Sequence, residues 1–175
     1  IENSKLEKGS SVGPFARLRD QTTIGQNCRV GNFVEIKNSF LGFGTKASHL
    51  SYLGDAKIGK DVNIGAGAIT CNYDGINKNV TTIDDNVFIG SNSSLVAPIK
   101  IKQGATIGAS SCITEDAPAK SLNVERNKQT TIKNWNHYPV NLNSIQKNDV
   151  LIFKIFSNIN NHCGVYLGND IFYHH

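Results

Sequence analysis

The sequence predicts an all-β chain folded as a parallel β-helix, and three observations predict it. Ile, Leu or Val returns at every sixth residue, as Val12, Leu18, Ile24, Val30 and Ile36, and again as Ile83, Ile89, Leu95, Ile101, Ile107 and Ile113. Gly often follows the apolar residue, as in Ile24-Gly25, Val30-Gly31, Ile64-Gly65 and Ile107-Gly108. The segment TCNYDG, Thr70 to Gly75, interrupts the pattern as a loop. A period of six is neither the helical nor the simple strand period; it belongs to short strands joined by tight turns and wound into coils.

The repeat is read over about residues 10 to 118, with one-residue slips near Leu41 and Ile58. Side chains of a strand alternate between faces, so the large apolar residue and the small residue four places later can both point inward. Cys28 takes that small-residue place, as do Ala16, Thr22 and Val34, and is expected to be a buried structural thiol. The hexads amount to about five coils of three strands, each stable only against its neighbours. The chain enters the repeat almost at once and contains no Met, which reads as a truncated or processed chain lacking earlier coils. After Pro118 the periodicity stops, and 119–140 reads as a polar, extended arm. From 141 to 175 the composition changes to two β-rich runs, DVLIFKIF and CGVYLGNDIFYHH, the second with a Gly-Asn-Asp hairpin signal. Those residues are too few to bury a core alone.

Composition excludes several classes. The longest apolar runs fall short of the roughly 18 residues that cross a bilayer, and the first ten residues lack a signal peptide's apolar core, so no membrane role and a cytoplasmic address are expected. Four widely spaced cysteines, without a C-x-x-C pair, suggest neither a zinc site nor a disulfide framework. The net charge of +4 is spread over scattered Lys and Arg without an aromatic-basic pattern, so a phosphorylated small molecule is a better partner than nucleic acid.

Three groups of residues carry chemical potential. His49, in KASHLSYLGDA, is a candidate general base, because a histidine side chain titrates near neutral pH; a solvated surface imidazole is the plainer alternative. Arg19 and Lys37 lie eighteen residues apart, about one coil, so two cations stack as a phosphate would require; ordinary surface charge is the alternative there. Asn72, Tyr73 and Lys78 ride on the loop, where a solenoid commonly carries function.

The runs VGPFARLR, GNFVEIK, TKASHLSYLGDAKIGKDVNIGAGAITCNYDG, VFIGSNSSLVAPIKI and GATIGASS, taken together, resemble the C-terminal acetyltransferase domain of the GlmU family of bifunctional glucosamine-1-phosphate acetyltransferases and N-acetylglucosamine-1-phosphate uridyltransferases. The resemblance extends over about residues 1 to 140. It implies a left-handed helix, a homotrimer with shared active sites, and acetyl transfer from acetyl-CoA to the 2-amine of glucosamine-1-phosphate. It further implies His49 as catalytic base with Glu35 as the carboxylate near it, and Arg19, Lys37, Tyr52 and Asn63 as sugar-phosphate ligands. Ala66, Asn72, Tyr73, Lys78, Ser91, Ala109 and Arg126 fall on acetyl-CoA positions, and no metal is implied for this step. The product would feed UDP-N-acetylglucosamine synthesis and, through it, peptidoglycan and lipopolysaccharide. Nothing in the chain corresponds to the uridyltransferase domain. Asp84 and Lys102 stand where the hexapeptide usually has Gly, and an inactive β-helical remnant is the alternative reading.

The tail, QKNDVLIFKIF and NHCGVYLGNDIFYHH, resembles the end of an NlpC-type cysteine peptidase domain. That resemblance implies His162 as base and His174 as its orienting partner. The nucleophile should be a Cys in a D-C-x-G context, which neither Cys112 nor Cys163 provides, so the tail is expected to be catalytically dead.

Overall fold

The computed structural model describes residues 1–125 and three later strands, and the chain divides into two units, Ile1–Lys128 and Gln129–His175. In the first unit the apolar hexads become short strands on three faces of a prism. The first face stacks β1 (Lys5–Leu6), β4 (Thr23–Ile24), β7 (Phe40–Leu41), β10 (Ala56–Ile58), β13 (Thr81–Ile83) and β16 (Ile99–Ile101). The second stacks β2 (Ser11–Val12), β5 (Arg29–Asn32), β8 (Lys46–His49), β11 (Asn63–Ile64), β14 (Phe88–Ile89), β17 (Thr106–Ile107) and β19 (Leu122–Asn123). The third stacks β3 (Arg17–Leu18), β6 (Glu35–Lys37), β9 (Tyr52–Gly54), β12 (Ile69–Cys71), β15 (Ser94–Val96) and β18 (Cys112–Ile113). All pairings within these faces are parallel.

The core is one continuous column. Leu18, Ile24, Ile36, Leu41, Ile58, Ile83, Ile89, Ile101 and Ile107 are fully enclosed, and the small places hold buried Cys28, Val34, Val62, Ala68, Val87 and Ala105. Cys28 is inert packing, as its place in the hexad predicts: its thiol donates to Gly42 O at 2.9 Å, and burial pushes its pKa up. Register explains the two slips. Val12 pairs with Val30 eighteen residues on, whereas Ile24 pairs with Leu41 and Leu41 with Ile58 at seventeen. The loop lengthens one turn to twenty-five residues, Ile58 pairing with Ile83 and Ile64 with Ile89, and the ladder then resumes in phase.

The helix is longer than the sequence pattern indicates. It has six three-stranded turns and one strand of a seventh, rather than about five, because pairing begins at Lys5 and continues to Asn123. Leu6 is in phase with Val12, but its neighbours are polar; at the other end Ile101 bridges Ala117 and Thr106 pairs with Leu122, in a turn shortened to sixteen residues. A second periodicity lies at the corners. Asn27, Asn38, Asp61, Asn86 and Asn92 have φ between 46° and 58°, the left-handed conformation that Asn and Asp tolerate better than most residues. Phe15, Phe33 and Leu50 hold the same conformation at φ 59°, 57° and 48° although bulky residues avoid it.

In the second unit, β20 (Val150–Phe153), β21 (His162–Gly168) and β22 (Ile171–His174) form an antiparallel sheet in that order. β21 and β22 are antiparallel neighbours, and Asn169 and Asp170 of the expected hairpin signal lie outside the described residues. Among the described residues no helix is long and apolar enough to cross a membrane.

Candidate active site on the third face

Outward positions of the third face form two columns. Arg17 pairs with Glu35, Glu35 with Tyr52 and Tyr52 with Ile69. Beside it, Lys37 pairs with Gly54, and Arg19 stands below Lys37, its amide donating to Ile36 O at 2.8 Å. The stacking of Arg19 on Lys37 expected from their spacing is therefore present. Arg19 Nη1 also donates diagonally to Glu35 Oε1 at 2.9 Å, a contact that raises the guanidinium pKa further. Among the described residues no hydrogen bond joins Glu35 to the His49 ring; the carboxylate is engaged by Arg19 instead.

The loop closes over the same face. Tyr73 and Lys78 form an antiparallel bridge, and Asn79 N donates to Asn72 O at 2.7 Å. The Asp74 carboxylate accepts from the amides of Asn77 at 2.6 Å and Ile76 at 2.9 Å and from Asn79 Nδ2 at 3.0 Å, which together hold its pKa below the usual carboxyl range. This hairpin brings Lys78 back to Lys37. The nearby Lys37 ammonium, first, and then burial pull the Lys78 pKa below the ordinary lysine value, while Asp55 and Tyr52 act in the opposite direction. Three cations on one face, with Lys78 close enough to Lys37 to feel its charge, form a site that an anion relieves.

Two residues of this site carry no sequence expectation. An ideal Cβ on Gly54 would lie against the Tyr52 hydroxyl and 2.8 Å from Asn72 Nδ2, so these two side chains converge over a bare backbone. Only Tyr52 and Ile69 pair between β9 and β12. The Thr70 hydroxyl takes up the slack, accepting from Gly54 N at 2.8 Å and donating to Gly54 O at 3.0 Å. The buried Asp55 carboxylate accepts from Asn38 Nδ2 at 2.6 Å and from Asn72 Nδ2. The signal was available: Gly54 falls where the coils before it carry Arg19 and Lys37, and Asp55 takes a corner with φ 50°.

His49 is exposed at the end of the second face, and Asn32 pairs with it. Ser51 Oγ pins the corner after it, donating to His49 O at 2.8 Å and Gly65 O at 3.2 Å. Continuing the register of β8, β11, β14 and β17 by two residues puts Ala66, Ser91 and Ala109 in one column with His49. The backbone agrees: Asn92 N donates to Ala66 O at 2.8 Å and Ser110 N to Ser91 O at 2.7 Å. These side chains are small, so a shallow strip leads away from the imidazole. Asn63 sits one coil above Lys46 on the same face, half-buried. Arg126 lies outside the described residues. Among the described residues, no group of three His, Cys, Asp or Glu could hold a metal ion.

Comparison with known proteins places this arrangement. Residues 3–38 match the bacterial transferase hexapeptide (six repeats), and residues 56–77 and 80–115 match the hexapeptide repeat of succinyl-transferase. The fold is accordingly that of the left-handed hexapeptide β-helices. The bifunctional protein GlmU of Thermodesulfovibrio yellowstonii is 59% identical over 135 residues, covering 77% of this chain and 30% of that protein. That of Thermotoga petrophila is 61% identical over 132 residues, 75% of this chain and 30% of that protein. The chain thus spans under a third of the length of the curated relatives it matches. Among solved structures, a point mutant of AntD, an N-acyltransferase from Bacillus cereus in complex with dTDP and coenzyme A, superimposes with a TM-score of 0.63 at 18% identity over 71% of this chain and 79% of that one. PerB from Caulobacter crescentus, in complex with CoA and GDP-perosamine, gives 0.59 at 16% identity over 66% of this chain and 54% of that one. These two likenesses are of fold. The matched hexapeptide segments end at residue 115, so the NlpC-type resemblance of the tail gains nothing from them.

Proposed function

Because the chain is a run of bacterial transferase hexapeptides and shares about 60% identity with bifunctional GlmU proteins over three quarters of its length, we propose that it is an acetyltransferase module. Its reaction moves the acetyl group of acetyl-CoA to the 2-amine of glucosamine-1-phosphate, giving N-acetylglucosamine-1-phosphate and CoA. The observation that carries this reading is the adjacency of two features: a small-residue strip headed by His49, and a face bearing Arg19, Lys37 and Lys78.

The roles follow from chemistry. Arg19 and Lys37 bind the sugar phosphate, Glu35 holding the Arg19 fork in place, while Tyr52 and Asn63 contact the sugar. The amine must be neutral to attack, and His49 takes its proton as the carbon–nitrogen bond forms. Backbone amides along the coils are suitable donors to the developing oxyanion, and the thiolate of CoA leaves as the carbon–sulfur bond breaks. Ala66, Ser91 and Ala109 leave room for the pantetheine arm beside His49, with Asn72 and Tyr73 at its reacting end. Lys78, beside Lys37, adds its charge to the sugar-phosphate site, and Arg126 answers the phosphates of acetyl-CoA.

The active form is a homotrimer in the cytoplasm. Phe15, Phe33 and Leu50 are 75%, 59% and 60% exposed on one corner, and the first two rings stack at 5.4 Å. An exposed apolar ridge held in an unfavourable conformation is a natural subunit contact. The tail is assigned no activity, in keeping with its missing nucleophile.

Release of free thiol from acetyl-CoA and glucosamine-1-phosphate tests the reading. The wild-type chain turns over, and His49→Ala lowers kcat by about 10²- to 10⁴-fold with the fold intact. A folded wild-type chain that releases no thiol, or a His49→Ala variant as active as wild type, overturns it.

A further inference from the structure

Asp55 is a carboxylate with little access to water and no place in the roles above. Its backbone ties it to the site from both sides: its amide donates to Lys37 O at 3.0 Å, and its carbonyl accepts from Thr81 N at 3.2 Å, just past the loop. Both side-chain oxygens are occupied, Oδ1 by Asn38 Nδ2 at 2.6 Å and Oδ2 by Asn72 Nδ2. Asn72 is itself buried and lies over Gly54 beside the Tyr52 hydroxyl, where the sugar-binding and acyl-binding residues meet.

An asparagine amide is a donor at one end and an acceptor at the other, and it can bind either way round. An ionised carboxylate only accepts. Once Asp55 takes the Asn72 nitrogen, the Asn72 oxygen must be the end left for something else. Among the described residues no donor reaches that oxygen, and it is not one of the enclosed, unpartnered atoms. We propose that Asp55 is a positioning residue: it fixes the Asn72 amide so that its carbonyl oxygen faces the groove and accepts from an N–H donor of a substrate. Resting on the acetyltransferase reading, this leaves two donors, the 2-amine of the sugar and an amide of the pantetheine arm. Asp55 also lies near enough to Lys78 to act on it against the repulsion of Lys37, so the carboxylate stands close to both the amide pair and the cations of the junction.

Asp55→Asn keeps the shape but offers an NH₂ to one of its two amide partners. The full chain carrying it remains folded by circular dichroism and loses about 10- to 100-fold in kcat/KM. A rise in KM for glucosamine-1-phosphate identifies the amine as the donor, and a rise in KM for acetyl-CoA identifies the pantetheine amide. The exchange Asp55→Asn with Asn72→Asp restores an N–H to carboxylate contact while leaving an oxygen toward the groove, and recovers a large part of the lost turnover. Unchanged kinetics in Asp55→Asn, or an exchange variant no better than the single one, overturns the proposal. A readout independent of turnover is the Asn72 side-chain NH₂ resonance in the wild-type chain. One proton is shifted and slow to exchange, and the effect vanishes in Asp55→Asn; an unshifted, freely exchanging pair in the wild type also overturns it. A chain that shows this signature without releasing thiol would fail the acetyltransferase reading alone.

Discussion

At the scale of single residues, the site depends on what is missing from Gly54. Its backbone is locked from below by the Thr70 hydroxyl, and its open upper side receives the Tyr52 phenol and the Asn72 amide. Adding a methyl group there presses on the ends of two side chains that can swing aside, so the fold survives and the site does not. Gly54→Ala is expected to keep its melting temperature within a few degrees and to lose about 10- to 100-fold in kcat/KM, a misplacement effect read by thermal denaturation beside the thiol assay. Much of the candidate site was legible in the chain: His49, Arg19, Lys37 and the loop residues stand out by type and spacing, and the structure brings Lys37 and Lys78 together. What escaped was the second layer. Spacing gives columns, but it cannot show that Glu35 turns to Arg19, or that Asp55 reaches Asn72 across a coil, because those contacts depend on side-chain direction.

At the scale of elements, the hairpin between Asn72 and Asn79 is held by Asp74 more than by apolar packing, since Tyr73, Ile76 and Val80 are all exposed. A carboxyl whose pKa is lowered by folding stabilises above its ordinary range, and that contribution is lost as pH falls through the folded value. The amides of Ile76 and Asn77 are therefore expected to be protected from hydrogen exchange at neutral pH and to lose protection at pH below the usual carboxyl range, ahead of the coils. Asp74→Ala removes the protection at every pH; an acid-insensitive loop would mean that another contact carries it. Sequence located this loop through the break in the hexads at TCNYDG. The outer turns were harder to see, because Leu6 and the 117–123 segment lack the Gly and Ile neighbours that advertise the repeat.

At the scale of the molecule, the corner ridge divides into two characters. Phe15, Phe33 and Leu50 line its early coils, and Gly67, Asn92 and Ser110 take the equivalent corner after His49. The apolar part is the expected contact between subunits. If the proposed trimer forms through this ridge, Phe33→Glu dissociates it, seen by sedimentation, and makes the melting temperature fall with dilution, since association stabilises by mass action. A wild-type chain that is monomeric at all concentrations would remove that role from the ridge.

The uneven turns give the column a graded response to being pulled apart along its axis. Each coil is held only by its immediate neighbours, so tension peels turns singly from an end rather than all together. An ordinary turn of seventeen or eighteen residues releases about 6 nm of chain, and the turn carrying the loop, twenty-five residues long, about 9 nm. The longest release therefore coincides with loss of the loop that carries Asn72, Tyr73 and Lys78, so the largest extension step and the loop's part of the site go together.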